Sequence, residues 1–158
     1  MTNRPHLADL KPDFACDGSL RDIYVLNTNG LDWDRLGSAL EASGFTLTYS
    51  ANGRSAPFPA SLTKESFDPH RRSLLVVNLT DDLSIDCHFF ALDEIEFSFD
   101  PRLVHRQEEL DRLLDFIVCV GRGTGKPVLL TLENSPDLPI LTYEPNSEYW
   151  AYRPPGAV

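Results

Sequence analysis

Residues 74–100, which read LLVVNLTDDLSIDCHFFALDEIEFSFD, contain the stretch that decides the fold. The unbroken aliphatic run at 74–77 is typical of a strand inside a sheet. The polar turn at 80–82 then predicts a hairpin to a second strand over 84–90. From residue 94 to residue 99 apolar and polar side chains alternate strictly, which predicts a third strand with one buried and one outward face. Three consecutive strands of this kind indicate an antiparallel meander.

The flanking sequence adds helices and further strands around this meander. Residues 23–26 predict a short strand, and Asn29 is placed to cap a helix whose apolar residues recur at helical spacing up to Gly44. The predicted elements after that helix are a strand at 45–50, a helix at 107–120, and strands at 128–132, 140–143 and 148–152. This order predicts an α+β fold, a single-domain two-layer sandwich with a mainly antiparallel sheet and two principal helices packed on one face.

The chain length favours a single domain. A chain of 158 residues is long enough to bury a substantial core without disulfides or metal ions. Residues 1–20 mix prolines and acids without any period, so we expect a flexible N-terminal arm. We place the α+β domain at residues 21–153 and expect residues 154–158 to fray.

The charge balance excludes several classes of partner. The chain has 24 acidic and 14 basic side chains, a net charge of −10. Binding to nucleic acid or to an anionic membrane needs positive charge, so neither is expected.

The three cysteines are an odd number without close spacing, which favours free thiols in a reducing compartment. With neither a signal peptide nor an apolar run of membrane-spanning length, we expect a cytoplasmic protein of bacterial type without disulfides.

Two motifs that suggest chemistry fail on geometry. The string VGRGTGKP at 120–127 has the glycines and lysine of a phosphate-binding loop. Its spacing is one residue short, and it follows a helix where such a loop needs a strand, so we predict a glycine-rich helix end. Cys87 and His88 are neighbours on a strand and therefore point to opposite faces, which prevents a nucleophile–base pair. We expect Cys87 to be buried and inert. Without catalytic or metal-binding spacing, we predict no catalytic residue, cofactor or metal.

The acidic residues are unevenly distributed along the chain. No lysine or arginine occurs between Arg72 and Arg102, while seven acids do. The predicted meander would gather the outward acids onto one negative surface, which a basic protein could recognise. The residues we predict to bind such a partner are Asp81, Asp82, Asp86, His88, Glu94, Glu96 and Asp100.

These observations leave a main hypothesis and alternatives from other classes. The main hypothesis is a non-enzymatic interaction domain, an acidic cytosolic binder or immunity-type inhibitor of a basic protein such as a nuclease toxin. The alternative is a small-molecule-binding or hydrolytic α+β domain with a pocket near Asp86 and His88. A homo-oligomer whose sheet is covered by a second copy, and a merely solvated acidic face, also stay open.

Overall fold

The computed structural model describes residues 3–15, 17–59, 61–62 and 64–152. Met1, Thr2, Cys16 and the predicted tail at 154–158 lie outside the described residues. The helices are α1 (Leu7–Leu10), α2 (Gly30–Ala42) and α3 (Gln107–Thr124), with short 3-10 turns between other elements. The strands are β1 (Arg21–Leu26), β2 (Thr46–Ala51), β3 (Arg54–Ala56), β4 (Leu74–Asn78), β5 (Ser84–Ala91), β6 (Glu94–Phe99), β7 (Val128–Leu132), β8 (Pro139–Glu144) and β9 (Tyr149–Tyr152).

The described strands form a single nine-stranded sheet in which all neighbouring strands are antiparallel. Their order is β3-β2-β4-β5-β6-β1-β7-β8-β9. The β4–β5 hairpin and the β4–β5–β6 meander expected from residues 74–100 are confirmed. β1 lies between β6 and β7, although it comes more than 60 residues before either in the chain. The protein is therefore an α+β protein with a mainly antiparallel sheet.

The core joins one face of the sheet to the apolar residues of α2 and α3. Alternate strand residues point into it because successive side chains of a strand face opposite ways. No helix among the described residues is both long and apolar enough to cross a bilayer. The buried residues that form the centre of the core include Ile23, Val25, Trp33, Leu36, Leu40, Leu75, Val77, Ile85, Cys87, Ile95, Phe97, Leu113, Leu114, Phe116 and Ile117.

The predicted cap at Asn29 is confirmed at the start of α2. The Asn29 side chain accepts a hydrogen bond from the Asp32 backbone N–H at 3.0 Å. The Asp32 carboxylate in turn accepts one from the Asn29 N–H at 3.0 Å, completing a capping box. Lys126 Nζ lies 3.0 Å from the same carboxylate and connects the helix start to the end of α3.

The second long helix continues further than its sequence predicts. Helix α3 ends at Thr124, and Gly125, with φ of 71°, terminates it. Gly121 and Gly123 therefore lie within the helix. A Cβ on Gly121 would lie 2.8 Å from a ring carbon of Tyr143, and one on Gly123 would lie 2.7 Å from the Ala39 Cβ. These glycines allow α3 to approach β8 and α2 closely, so the expected helix end at residue 120 is corrected.

Replacing Gly121 with valine is expected to lower the free energy of unfolding by about 1–3 kcal/mol, because the added carbons overlap the buried Tyr143 ring. Urea unfolding followed by circular dichroism measures this change. The matched variant Gly30→Val, at a position with no atom within 4 Å of an added Cβ, should change stability by less than about 0.5 kcal/mol. Equal effects of the two substitutions would contradict the packing role assigned to Gly121.

The N-terminal residues contribute to the core. Leu10 and Phe14 are buried, with 1% and 7% of their surfaces exposed. The Asn3 side chain donates to the Trp150 carbonyl and accepts from the Trp150 N–H at 2.9 Å, along the outer edge of β9. Sequence reasoning treated residues 1–20 as an arm outside the fold, because the spacing of these two apolar residues has no recognisable period.

Candidate functional site

The face of the sheet opposite the core brings acidic residues from three adjacent strands together. Asp86 on β5, Ser98 on β6 and Asp22 on β1 form one row across these strands. His88, Glu96 and Tyr24 form the next row, and Glu94 follows on β6. Neighbouring strands are about 4.8 Å apart, and rows of the same face about 7 Å. We call the four carboxylates the acidic cluster: Asp22, Asp86, Glu94 and Glu96.

Basic side chains neutralise other acids of the protein. Arg106 pairs with Glu109 at 3.1 Å, and Arg4 pairs with Asp115 at 2.8 Å. None of the ion pairs found within the described ranges includes a carboxylate of the acidic cluster. Like charges on adjacent strands repel each other. The cluster therefore concentrates negative charge on this face of the protein.

Asp22 and Tyr24 form the buried end of the acidic cluster. The Tyr24 hydroxyl donates to Asp22 Oδ2 at 3.0 Å, and the Asn134 backbone N–H donates to the same oxygen at 2.7 Å. Burial raises the pKa of Asp22, and these hydrogen bonds oppose the shift. Burial and the nearby carboxylates of Glu96 and Asp22 raise the pKa of Tyr24. Tyr24 therefore keeps its proton at neutral pH, and its hydroxyl donates a hydrogen bond to Asp22.

Glu94 is a partly exposed cluster residue whose negative charge disfavours the folded state. Burial raises the pKa of its carboxyl, and the charges of Glu96 and Asp93 raise it further. Ionising Glu94 is therefore less favourable in the folded than in the unfolded state. The free energy of unfolding consequently falls as the pH rises from the ordinary glutamate pKa through the raised one.

The variant Glu94→Gln is expected to remove this pH-dependent loss. The free energy of unfolding of the variant, relative to that of the unmodified protein, should increase as the pH rises from 4 to 7. At low pH, where Glu94 is protonated, the difference between the two proteins should be smallest. Urea titrations at several pH values measure the difference. Glu41→Gln, on the exposed surface of α2, serves as the control and should follow the unmodified protein. A constant difference across the pH range would contradict the assigned effect of Glu94.

His88 is held beside the cluster by two contacts. Its Nε2 lies 3.0 Å from Ser98 Oγ, and its ring stacks on Phe90 with centroids 4.9 Å apart and planes 7° from parallel. The distance to Ser98 is that of a nucleophile and its base. Acyl transfer also needs donors aimed at the oxyanion, whereas the backbone around Ser98 takes part in the ladders of β6 with β5 and β1. The contacts thus serve mainly to orient the His88 ring.

A shallow apolar groove of about 410 Å³ lies next to the His88–Phe90 pair. Phe90 is 67% exposed, a large fraction for a phenylalanine. Cys87 points the opposite way, into the core, where burial raises the pKa of its thiol, as do Glu96 and Asp86. The prediction that Cys87 is buried and faces away from His88 is confirmed. The groove is lined by Phe67, Asp68, Pro69, Arg72, Ser73, Leu74, His88, Phe89 and Phe90.

The predicted partner-binding residues do not all lie together. Asp86, His88, Glu94 and Glu96 share the open sheet face. Asp81 and Asp82 lie in the exposed turn between β4 and β5, and the charge of Asp82 acts on Arg106 instead.

Asp100 is neutralised locally. Its carboxylate accepts hydrogen bonds from the Arg102 guanidinium, the shortest at 2.7 Å, and this interaction holds the pKa of Asp100 below its usual value.

Sequence reasoning missed the contribution of Asp22, Tyr24 and Ser98 to the face. The alternation on β6 pointed to an outward Ser98, but no local signal placed β1 beside β6.

No protein-family model, curated protein sequence or solved structure matches this chain. Within the described residues there is also no group of three or more histidine, cysteine, aspartate or glutamate side chains placed to hold a metal ion.

Proposed function

We propose that the protein is a non-enzymatic interaction domain whose acidic cluster docks a basic partner protein. The observation that carries this proposal is the set of four carboxylates on β1, β5 and β6 that no ion pair of the described residues includes. Lysine or arginine side chains of a partner would relieve the repulsion by pairing with the three partly exposed carboxylates, those of Asp86, Glu94 and Glu96. Such complementarity also accelerates encounter and fixes the register of a complex.

The surroundings of the cluster support a protein partner. Phe90 is exposed beside the carboxylates, and exposed aromatic side chains frequently dominate interface energies. The proposal includes the two-layer sandwich expected from the sequence, with the helices on one face and the partly exposed β5 and β6 side chains of the other face available for binding. A cytoplasmic inhibitor of bacterial, immunity type, acting on a basic protein such as a nuclease toxin, is the biological role that fits this surface.

A second function has a specific observation in its favour. The groove of about 410 Å³ beside His88 and the 3.0 Å distance from His88 to Ser98 would suit a small-molecule-binding or hydrolytic domain. Such a domain would bind its ligand in the groove without needing the charges of Glu94 and Glu96. The two functions therefore differ in their dependence on the acidic cluster.

Selection from a random peptide library displayed on phage, with the full chain as bait, tests the main proposal. We expect the selected peptides to be enriched in lysine and arginine. They should bind weakly to the cluster variant Asp86→Asn/Glu94→Gln/Glu96→Gln and normally to the control variant Glu41→Gln/Glu108→Gln/Asp137→Asn. The control removes the same charge from exposed positions elsewhere. Peptides without basic enrichment, or equal binding to both variants, would overturn the proposal.

A further inference from the structure

The stacked side chains of His88 and Phe90 stand between two surfaces of different charge. On β5, His88 lies opposite Glu96 of β6 on one side and opposite Leu74 of β4 on the other. Three of the four cluster carboxylates, those of Asp22, Glu94 and Glu96, therefore lie on the β6 and β1 side of this stack, while Asp86 lies on β5 itself. The apolar groove, which includes Leu74, lies on its β4 side.

The groove contains an exposed arginine beside an aspartate that has other hydrogen-bond partners. Arg72 lines it and is exposed. Its backbone adopts φ of 50° at the end of a 3-10 turn, where its N–H donates to the Pro69 carbonyl. Asp68 also lines the groove, but its carboxylate already accepts from the His70 backbone N–H at 2.9 Å and lies 3.2 Å from His70 Nδ1. The ion pairs of the described residues do not include Arg72, which leaves its guanidinium available to an anionic group.

From β6 towards the groove, the side chains of this face are thus first acidic (Glu96), then aromatic (His88 and Phe90) and finally basic (Arg72). Two strand spacings separate Glu96 on β6 from Leu74 on β4, about 10 Å, and Arg72 precedes Leu74 by two residues. An extended peptide advances about 3.3 Å per residue, and every second side chain points the same way. Side chains at positions i, i+2 and i+4 of one extended segment therefore span about 13 Å, enough to reach from Glu96 across the aromatic stack to Arg72.

We infer that the partner docks through an extended segment with a basic, an apolar and an acidic residue at alternate positions. The basic side chain meets the acidic cluster, the apolar one enters the groove against Phe90, and the acidic one pairs with Arg72. This inference rests on the proposed function, since it takes the acidic cluster as the site of the partner's basic residue. It adds a requirement for an acid in the partner that a merely negative surface would not impose.

Fluorescently labelled peptides containing the core Lys-Ser-Phe-Ser-Glu, the reverse order, and Lys-Ser-Phe-Ser-Lys test this inference by anisotropy with the full chain. We expect the better of the two glutamate peptides to bind about two- to fivefold more tightly than the lysine peptide, the range of an exposed ion pair. In Arg72→Glu this preference should reverse. Arg54→Glu, an equal charge change on exposed β3, should keep the preference for glutamate. Phe90→Ala should weaken the binding of the better glutamate peptide and of the lysine peptide alike.

The outcomes separate this inference from the proposed function. A glutamate preference that is absent, or that Arg72→Glu leaves unchanged, overturns the inference. If binding in that case still needs Asp86, Glu94 and Glu96, the proposed function stands without it. If peptide binding does not depend on those three residues either, both are overturned.

Discussion

Replacing Trp33 with alanine is expected to lower the free energy of unfolding by about 3–5 kcal/mol, the range for truncating a buried aromatic residue. Trp33 is 1% exposed. Its ring stacks on Phe89 at 5.3 Å and meets Phe67 edge-on at 5.1 Å, while its Nε1 donates to the Leu92 carbonyl at 3.0 Å. One side chain of α2 thus joins the helix to the end of β5 and to the residues that line the groove.

This loss is a large part of the about 5–15 kcal/mol that stabilises a typical domain. Urea unfolding followed by circular dichroism measures it, and the melting temperature should fall by roughly 6–20 °C. Trp33→Phe keeps an aromatic ring in the cavity and should lose less than half as much. A loss below about 1 kcal/mol in Trp33→Ala would contradict the anchoring role of this side chain.

The second large effect is expected on binding. Neutralising Asp86, Glu94 and Glu96 together should weaken the binding of the selected basic peptides about tenfold, which corresponds to about 1.4 kcal/mol. Each exposed ion pair typically contributes about 0.2–1 kcal/mol, so three pairs contribute about 0.6–3 kcal/mol, a range that includes this value. Because the same substitutions remove repulsion between neighbouring strands, the variant should also be at least as stable as the unmodified protein.

Salt dependence distinguishes the acidic cluster from the general negative charge of the protein. Affinity of the unmodified chain for a selected peptide should fall as sodium chloride rises from 50 to 300 mM, because salt screens exposed charges. The cluster variant should show a shallower dependence, and the control variant Glu41→Gln/Glu108→Gln/Asp137→Asn should retain the original slope. Equal slopes for the two variants would assign the binding to overall charge.

Local patterns predicted those parts of the fold whose contacts are close in the chain. The β4–β5–β6 meander follows from strict alternation and short turns between consecutive strands. The cap at Asn29 follows from a hydrogen bond between residues only three positions apart in the chain. In each case a few neighbouring residues contain the whole physical reason for the structure.

Contacts between distant segments were beyond such patterns. β1 joins β6 and β7 across the centre of the sheet, and no residue near Ile23 indicates which strands it will meet. β3 has three residues, none of them buried, so it has no apolar pattern to detect. Gly121 looked like a helix end because its tight fit against Tyr143 depends on a strand that follows later.

The candidate site divides in the same way. The outward positions of Asp86, Glu94 and Glu96 follow from alternation along β5 and β6. Asp22 joins them only through the pairing of β1 with β6. Asp100 does not belong to the acidic cluster, because Arg102, two residues away, pairs with its carboxylate. Counting the charges along the chain did not reveal this contact.

Mapping the bound peptide by NMR tests the central claim most directly. In a ¹⁵N-labelled full chain titrated with a selected basic peptide, the largest amide shifts are predicted on β5, β6 and β1, around Asp86, Glu96 and Asp22. These shifts should become much smaller in Asp86→Asn/Glu94→Gln/Glu96→Gln at the same peptide concentration. Shifts concentrated on α2 and α3, or unchanged in that variant, would contradict docking at the acidic cluster.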